Sequence, residues 1–219
     1  MIYDLSQPIF TNVPQWPKFR PTTITVPYLT AIESVNFERL ELMTHTGTHM
    51  DAPFHFFPDA ETLDVLPLSH FHEPCVALDL RPKKPNSGLA AADFEPHLEK
   101  IQDGFIVLLK TGWAKKRALT KEFFTAWPYL TGEGAEYLVS RIHGVGIEGL
   151  SIGGFDDPEK EIAAHKVLLG AKKLIIEDIR VPEAMLDGHR RHFAAFSVLI
   201  QGAGGKWTRT MAWDEGEMA

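Results

Sequence analysis

Three histidines and one aspartate lie within eleven residues, and this segment constrains the fold more than any other part of the chain. Residues 45–55 read HTGTHMDAPFH. Ten histidines among 219 residues would place about 0.5 in a window of eleven. If residues 45–51 were fully extended, they would span about 20 Å, whereas one divalent ion holds its ligands at about 2 Å. The chain must therefore fold back on itself here if these side chains share an ion.

Gly47 is the residue at which the chain can fold back, because glycine adopts backbone conformations that are closed to other residues. Thr46, Thr48 and Pro53 disfavour a long regular helix. We therefore predict a loop or short irregular turn, positioned by a strand over residues 36–43. Imidazole and carboxylate together suit zinc, manganese or iron. Ordinary surface histidines are the alternative, which the density of the segment disfavours. The ligand-type side chains are His45, His49, Asp51 and His55.

More distant side chains should complete the site, because a hydrolytic metal centre needs three or more protein ligands. A helix is predicted over residues 159–169, with Asp157 as its N-cap, Pro158 in the first position and Gly170 at its exit. His165 lies on the apolar stripe of this helix and faces the interior. A core histidine with satisfied hydrogen bonds is the ordinary interpretation of that position, and a metal ligand is the alternative.

Glu177 follows the apolar run 174–176, which predicts a buried strand. A carboxylate at its end is costly unless it is paired or metal-bound. A solvated strand end or an ion pair with Arg180 is the alternative interpretation. Asp178 would point to the opposite side of a strand, so only one of the two acids can face a site.

Strand and helix signals alternate along the rest of the chain. In residues 36–43, apolar and charged residues alternate, which predicts a half-buried strand. A possible helix opens at residue 91 toward residue 100, although Pro96 weakens its start. The 219 residues therefore predict one α/β domain, spanning 1–219, with a mixed, partly barrel-like β-sheet core and flanking helices. Further strands are predicted over 3–9, 22–27, 75–80, 105–110, 193–200 and 207–212, and a further helix over 133–142.

Composition and charge exclude several classes of partner. A net charge of -7 is unsuited to nucleic-acid backbones. The longest candidate membrane stretch, residues 193–200, is far below the ~20 residues of a spanning helix. Cys75 is the single cysteine, so it forms no internal disulfide, and we interpret it as a packing residue and not a nucleophile. Residues 1–6 lack signal-peptide features. We expect a cytoplasmic protein with no nucleic-acid or membrane partner.

Residues 45–56 resemble the signature H-x-G-T-H-x-D-x-P-x-H-F of the cyclase family of metal-dependent hydrolases, which includes bacterial kynurenine formamidase and isatin hydrolase. Every specified position of the signature is matched. His165 and Glu177 match the later histidine and glutamate of the family, twelve positions apart. Similar stretches are 4–9, 110–113 and 146–152.

The resemblance implies a role for each matching residue. His55 would be the proton shuttle, and Trp16 would pack against the substrate ring. Phe54 and Phe56 would extend a flat apolar pocket, with plain core packing as the alternative. The implied fold is a compact, swivelling β/β/α-like domain that forms a homodimer or homotetramer. The implied ligands of one or two divalent ions, Zn or Mn, are His45, His49, Asp51, His165 and Glu177, with Asp51 and Glu177 able to bridge.

These features predict hydrolysis of a carbon–nitrogen amide bond in a small molecule, with His55 serving the activated water as a proton shuttle. An aryl formamide and an isatin- or imide-type cyclic amide are both open as substrates. Lys18-Phe19 and Gly153-Gly154 depart from the family pattern and keep the substrate class open. Two other hypotheses are a non-haem iron oxygenase, which needs two histidines and one carboxylate, and a non-catalytic small-molecule binding protein.

Overall fold

The strands and helices are described over residues 1–214 in a computed structural model. The last five positions of the predicted 1–219 domain lie outside the described residues, so that full range stays a prediction. The strands are β1 (Ile2–Asp4), β2 (Thr23–Tyr28), β3 (Phe37–Glu41), β4 (His49–Asp51), β5 (His72–Asp79), β6 (Gly88–Leu89), β7 (Phe105–Lys110), β8 (Tyr129–Leu130), β9 (Ile142–Ile147), β10 (Leu174–Glu177), β11 (Arg191–Ser197) and β12 (Gly205–Trp213). The α-helices are α1 (Thr30–Glu33), α2 (Ala91–Phe94), α3 (Lys121–Thr125), α4 (Gly132–Val139) and α5 (Pro158–Gly170).

Seven strands close into a barrel-like ring in the order β12-β11-β5-β7-β9-β10-β4, and β4 pairs back with β12. The neighbours from β5 to β10 are parallel, whereas the pairs that involve β4, β11 and β12 are antiparallel. β1 extends the sheet along the far half of β12. The predicted mixed, barrel-like α/β core is therefore confirmed.

The parallel strands are covered on both faces, which is why their central residues are apolar and buried. All six residues of β7 are buried. Val107 and Val145 face a core beneath α4 and α5, to which Leu138 and Leu168 contribute. A second core, inside the ring, includes the buried side chains Met50, Ile106, Leu108, Ile176 and Phe193.

Helix α5 begins as its sequence predicts. The Asp157 side chain accepts hydrogen bonds from the N–H groups of Glu159 and Lys160, and Pro158 occupies the first position. Gly170 is its last helical residue, and Ala171 is the cap. Helix α4 is shorter than predicted because Ile142 already begins β9. Residues 91–100 form only the four-residue α2 and then a 3-10 turn over Glu95–Lys100, which contains Pro96.

The predicted burial of the strand over residues 36–43 is wrong. β2 and β3 pair only with each other and form a hairpin, residues 23–41, which we call the arm. Every residue of β3 is exposed, including Leu40 at 50%. The predicted strand over residues 3–9 is also too long, because β1 ends at Asp4. Within residues 1–214, no helix combines the length and the apolar character that crossing a membrane requires.

Candidate functional site

The prediction of a loop for the histidine-rich segment is wrong for residues 49–51, which form β4 between β10 and β12. His49 and Asp51 are two apart in this strand and therefore face the same side. The register places His49 opposite Glu177. The predicted turn at Gly47 is confirmed by its φ of 68°. This turn folds the chain back, so that His45 approaches Asp51.

Five ionisable side chains from the turn, β4, α5 and β10 meet at this point. His45 Nδ1 lies 2.8 Å from Asp51 Oδ1. His49 Nε2 lies 3.6 Å from Asp51 Oδ1 and 3.2 Å from Glu177 Oε2. His165 Nε2 lies 3.8 Å from Asp51 Oδ2 and 3.2 Å from Glu177 Oε1. Each carboxylate therefore directs one oxygen toward His49 and the other toward His165.

Backbone carbonyl groups orient two of the imidazoles. His49 Nδ1 donates to the Gly47 carbonyl oxygen at 2.8 Å, and His165 Nδ1 donates to the Glu161 carbonyl oxygen at 2.7 Å. With Nδ1 engaged in this way, Nε2 of each ring points into the cluster. Such outer hydrogen bonds fix the tautomer and orientation of metal-binding histidines.

Glu177 and Asp178 diverge as expected for neighbouring residues at a strand end. Glu177 Oε1 accepts hydrogen bonds from Ser151 Oγ at 3.2 Å and from the Ile152 N–H at 2.6 Å. Asp178 forms an ion pair with Arg117 on the other side. The alternative partner for Glu177, Arg180, contacts Asp4 instead. The sequence reasoning assigned no role to Ser151, although it lies in the 146–152 stretch that resembles the family.

The cluster is almost fully removed from water. His49 and Asp51 are each 1% exposed, and Glu177 and His165 are also buried. Within residues 1–214, the ion pairs of both acids are with imidazoles, and neither acid pairs with a lysine or arginine. Two buried carboxylates without compensating positive charge would be costly.

The buried acids raise the pKa values of the neighbouring histidines, and the histidines lower the pKa of Glu177. Burial lowers the pKa of His49, but its hydrogen bond to Glu177 and the attraction of both acids outweigh burial and raise it to about 9. Burial likewise lowers the pKa of His165, and the same two acids raise it overall. For Glu177, burial raises the pKa, whereas the bonds from His165 and His49 hold it well below its usual range. The cluster therefore attracts protons or another cation.

Several buried atoms of the cluster are suited to a metal ion, because their contacts are ion pairs without well-aligned hydrogen bonds. His49 Nε2 and both carboxylate oxygens of Asp51 have no aligned hydrogen-bond partner. Donor atoms around a tetrahedral ion with bonds of about 2.1 Å lie about 3.4 Å apart. Four of the five separations in the cluster, from 3.2 to 3.8 Å, match that spacing. The residues present therefore fit a divalent cation, and the two carboxylates give the cluster room for one ion or two.

A cavity of about 350 Å³ opens from this cluster, and both predicted substrate contacts line it. Trp16 packs edge-on against Trp127 at 5.7 Å and Phe155 at 5.4 Å. Phe56 stacks on His165 at 4.6 Å. Phe54 is 39% exposed and is not a lining residue, so its predicted place in the pocket is wrong. Further apolar wall residues, which the sequence reasoning missed, are Phe19, Leu150 and Ile162.

His55 also lines the cavity and stacks on His45, with ring centres 4.0 Å apart. Loss of hydration in the cavity lowers the pKa of His55 to about 4, against the attraction of Asp51 and with added repulsion from His45 and His165. A pKa this low keeps the imidazole neutral near pH 7 but makes it a weak base, so a role in proton transfer rests on its position. A ligand atom of His55 also lies within 4.8 Å of ligand atoms of His45 and Asp51, so its position suits either coordination or proton transfer.

Comparisons with known proteins agree with this geometry. The family model for Cyclase matches residues 3–153. Kynurenine formamidases from Bacillus cereus and Bacillus mycoides are 31% and 30% identical over 187 residues, which is 84% of this chain and 84% of each relative. A structure described as a potential metal-dependent hydrolase with cyclase activity is 28% identical, with a TM-score of 0.79 and 98% of both chains covered.

Isatin hydrolase A from Ralstonia solanacearum shares the fold, with a TM-score of 0.85 over 98% of this chain and 92% of that one, at 22% identity. The family match covers most of the chain, and it includes His45, His49 and Asp51 of the cluster together with His55, Trp16 and Phe56. The family membership that residues 45–56 predicted is thereby confirmed, and the chain belongs to the Cyclase family.

Proposed function

We propose that this chain is a metal-dependent hydrolase that cleaves the carbon–nitrogen bond of an aryl formamide or a small cyclic amide. The observation that carries this proposal is the set of buried His49 and Asp51 atoms without an aligned hydrogen bond, which lie beside His45, His165 and Glu177 in the wall of an aromatic cavity. The kynurenine formamidase relatives support an aryl formamide as the substrate class.

The proposed ligands are His45, His49, Asp51, His165 and Glu177, and the proposed ions are Zn²⁺ or Mn²⁺. Asp51 and Glu177 would bridge if two ions bind, because each directs its oxygens toward different histidines. A bound divalent ion supplies Lewis acidity, both to a carbonyl oxygen and to water.

The remaining roles follow from the side chains that line the cavity. Trp16 and Phe56 would hold the substrate ring against the apolar walls, with the scissile amide directed toward the acids. His55 would accept a proton from water and return it to the leaving nitrogen, because it lines the cavity beside His45 and Asp51 and solvent can reach it. Glu177 is fixed by Ser151 and Ile152, which leaves its position independent of the substrate.

This function is tested by measuring substrate hydrolysis before metal removal, after metal removal and after the metal is added back. We expect no hydrolysis of formanilides or isatin-type lactams after chelation, and recovery when Zn²⁺ or Mn²⁺ is added, with metal content measured on the same samples. Activity that chelation does not affect would contradict the proposal. Turnover that requires dioxygen would favour the oxygenase hypothesis, and tight binding without turnover would favour a binding protein.

We also propose that the chain assembles as a homodimer or homotetramer through the arm. An isolated two-stranded hairpin is marginally stable in water, and the arm exposes large apolar side chains, including Ile32 at 76% and Phe37 at 59%. The body of the same chain exposes Val198 and Leu199 at the β11–β12 turn. A protruding apolar element and an apolar patch on one chain suit a self-complementary contact between two copies.

The arm matters to the site because the chain enters it after Phe19 and leaves it before His45, and both residues line the cavity. We expect Leu40→Asp to shift the molar mass in light scattering toward a monomer and to weaken turnover. Leu68→Asp, at an exposed leucine outside the arm and away from the cavity wall, is the matched control. A monomeric wild type would refute this assembly.

A cytoplasmic location, suggested by the single Cys75, also stays a proposal.

A further inference from the structure

Lys18 lies at the mouth of the cavity, beside its aromatic wall. Its ammonium is 5.8 Å from the ring centres of both Trp16 and Phe155. It donates a hydrogen bond to Glu161 Oε1 at 3.3 Å. Glu161 lines the cavity, whereas the side chain of Lys18 is 61% exposed. The ammonium is thus tethered to a residue of the cavity wall, and the rest of the side chain faces solvent.

Glu161 is itself fixed, which makes the position of the ammonium specific. Its Oε1 also accepts the Asp156 N–H at 3.2 Å, and its backbone carbonyl holds His165 one helical turn later. An ammonium has three N–H donors, and within residues 1–214 Glu161 is the one hydrogen-bond acceptor of Lys18. Two donors therefore remain for a group that approaches from solvent.

We propose that Lys18 is a specificity-determining residue that binds an anionic substituent, such as a carboxylate, on the substrate. This inference rests on the proposed hydrolase function and refines its substrate class. A ring packed against Trp16, with its amide directed to the acids at the floor, directs its far edge toward the mouth. A carboxylate that reaches past the Glu161 side chain meets the spare donors of Lys18, whereas an ammonium in the same place meets a like charge.

The test compares three formanilides that differ only in a ring substituent: carboxylate, neutral methyl and trimethylammonium. We expect the carboxylate compound to have the highest kcat/KM, mainly through a lower KM. In Lys18→Met, the ratio of carboxylate to neutral kcat/KM should fall about fivefold, which corresponds to one partly exposed charge pair. High salt should reduce the same ratio in the wild type.

Lys172→Met is the matched control. Lys172 also forms an exposed ion pair, with Glu61 at 2.9 Å, but it does not line the cavity. It should leave the ratio unchanged. The exchange Lys18→Glu with Glu161→Lys keeps an ion pair but reverses its polarity. We expect it to move the preference toward the cationic compound, whereas a merely structural pair would leave the preference as in the wild type.

The outcomes separate this inference from the proposed function. Equal kcat/KM for all three compounds, or a preference for the cationic one in the wild type, overturns the role of Lys18 and leaves the hydrolase function standing. If none is hydrolysed, the aryl formamide is excluded as the substrate class of the proposed function, and calorimetric binding of the three compounds decides the role of Lys18. Tighter binding of the carboxylate compound that Lys18→Met abolishes supports the inference, and equal binding overturns it.

Discussion

Gly205 is the position at which a single methyl group most directly tests the geometry of the site. A Cβ atom there would lie 2.3 Å from His45 Cε1 and 2.4 Å from its Nε2. Ordinary contact begins near 3.4 Å, so the imidazole would have to move by about 1.1 Å. The ring has little freedom to do so, because His55 stacks on one face and Asp51 Oδ1 lies 2.8 Å from Nδ1.

The expected loss follows from that displacement. A misplacement of about 1 Å in an active site costs on the order of 10²-fold in rate, which is about 2.7 kcal/mol of transition-state stabilisation. Metal ligands tolerate only about 0.2 Å. We therefore expect Gly205→Ala to lower kcat/KM about 100-fold and to reduce metal content. Overpacking should also lower the free energy of unfolding by about 1–3 kcal/mol.

The assay combines steady-state kinetics, elemental analysis and thermal unfolding of the same preparation. Gly170→Ala is the control, because its added methyl group meets Phe57 at an ordinary 3.4 Å. A double-mutant cycle with His45→Ala isolates the route of the effect. If Gly205 acts through His45, adding Gly205→Ala to His45→Ala should cause little further loss. Wild-type activity and metal content in Gly205→Ala would refute the reasoning.

Three further predictions concern separate groups. His55→Ala should keep its metal but lose about 10²–10⁴-fold in kcat, and full turnover by this variant would remove His55 from the mechanism. Asp51→Ala should empty the site in elemental analysis, which unchanged occupancy would contradict. Burial, with repulsion from His143, lowers the pKa of His70 to about 4 in the folded chain. Between about pH 6.5 and 4 the unfolded chain therefore binds more protons than the folded chain. The free energy of unfolding falls as the pH decreases through this range. Removing this titration in His70→Gln should reduce that fall by about 1 kcal/mol in denaturant titrations, and an unchanged pH profile would contradict it.

The sequence predicted the members of the site better than their local structure. The density of His45, His49 and Asp51 pointed to shared coordination, and the structure brings these residues together with His165 and Glu177. The cap residues of α5 predicted its start because capping depends on neighbours in the sequence. These are local signals that one sequence contains.

The failures arose where long-range pairing decides the structure. β4 has three residues and lies among residues typical of loops, and it is a strand because β10 and β12, more than 120 positions away, pair with it. The burial of β3 failed for a related reason. Alternation of Leu40 with charged neighbours predicts one covered face, but every residue of β3 is exposed. In the proposed assembly, a second copy would cover this face.

Closure of the barrel and assembly of the site depend on the same seam. β4 pairs with β10 on one side and β12 on the other, so the strands that close the ring also carry His49, Asp51 and Glu177. Binding of an ion to these residues would couple metal affinity to the stability of the seam. We therefore expect metal removal to increase amide hydrogen exchange in residues 49–51 and 174–177 more than in β7, which is paired on both sides within the parallel core. Exchange that rises equally in all three strands would show that the ion stabilises the whole domain and would separate the site from the closure of the ring.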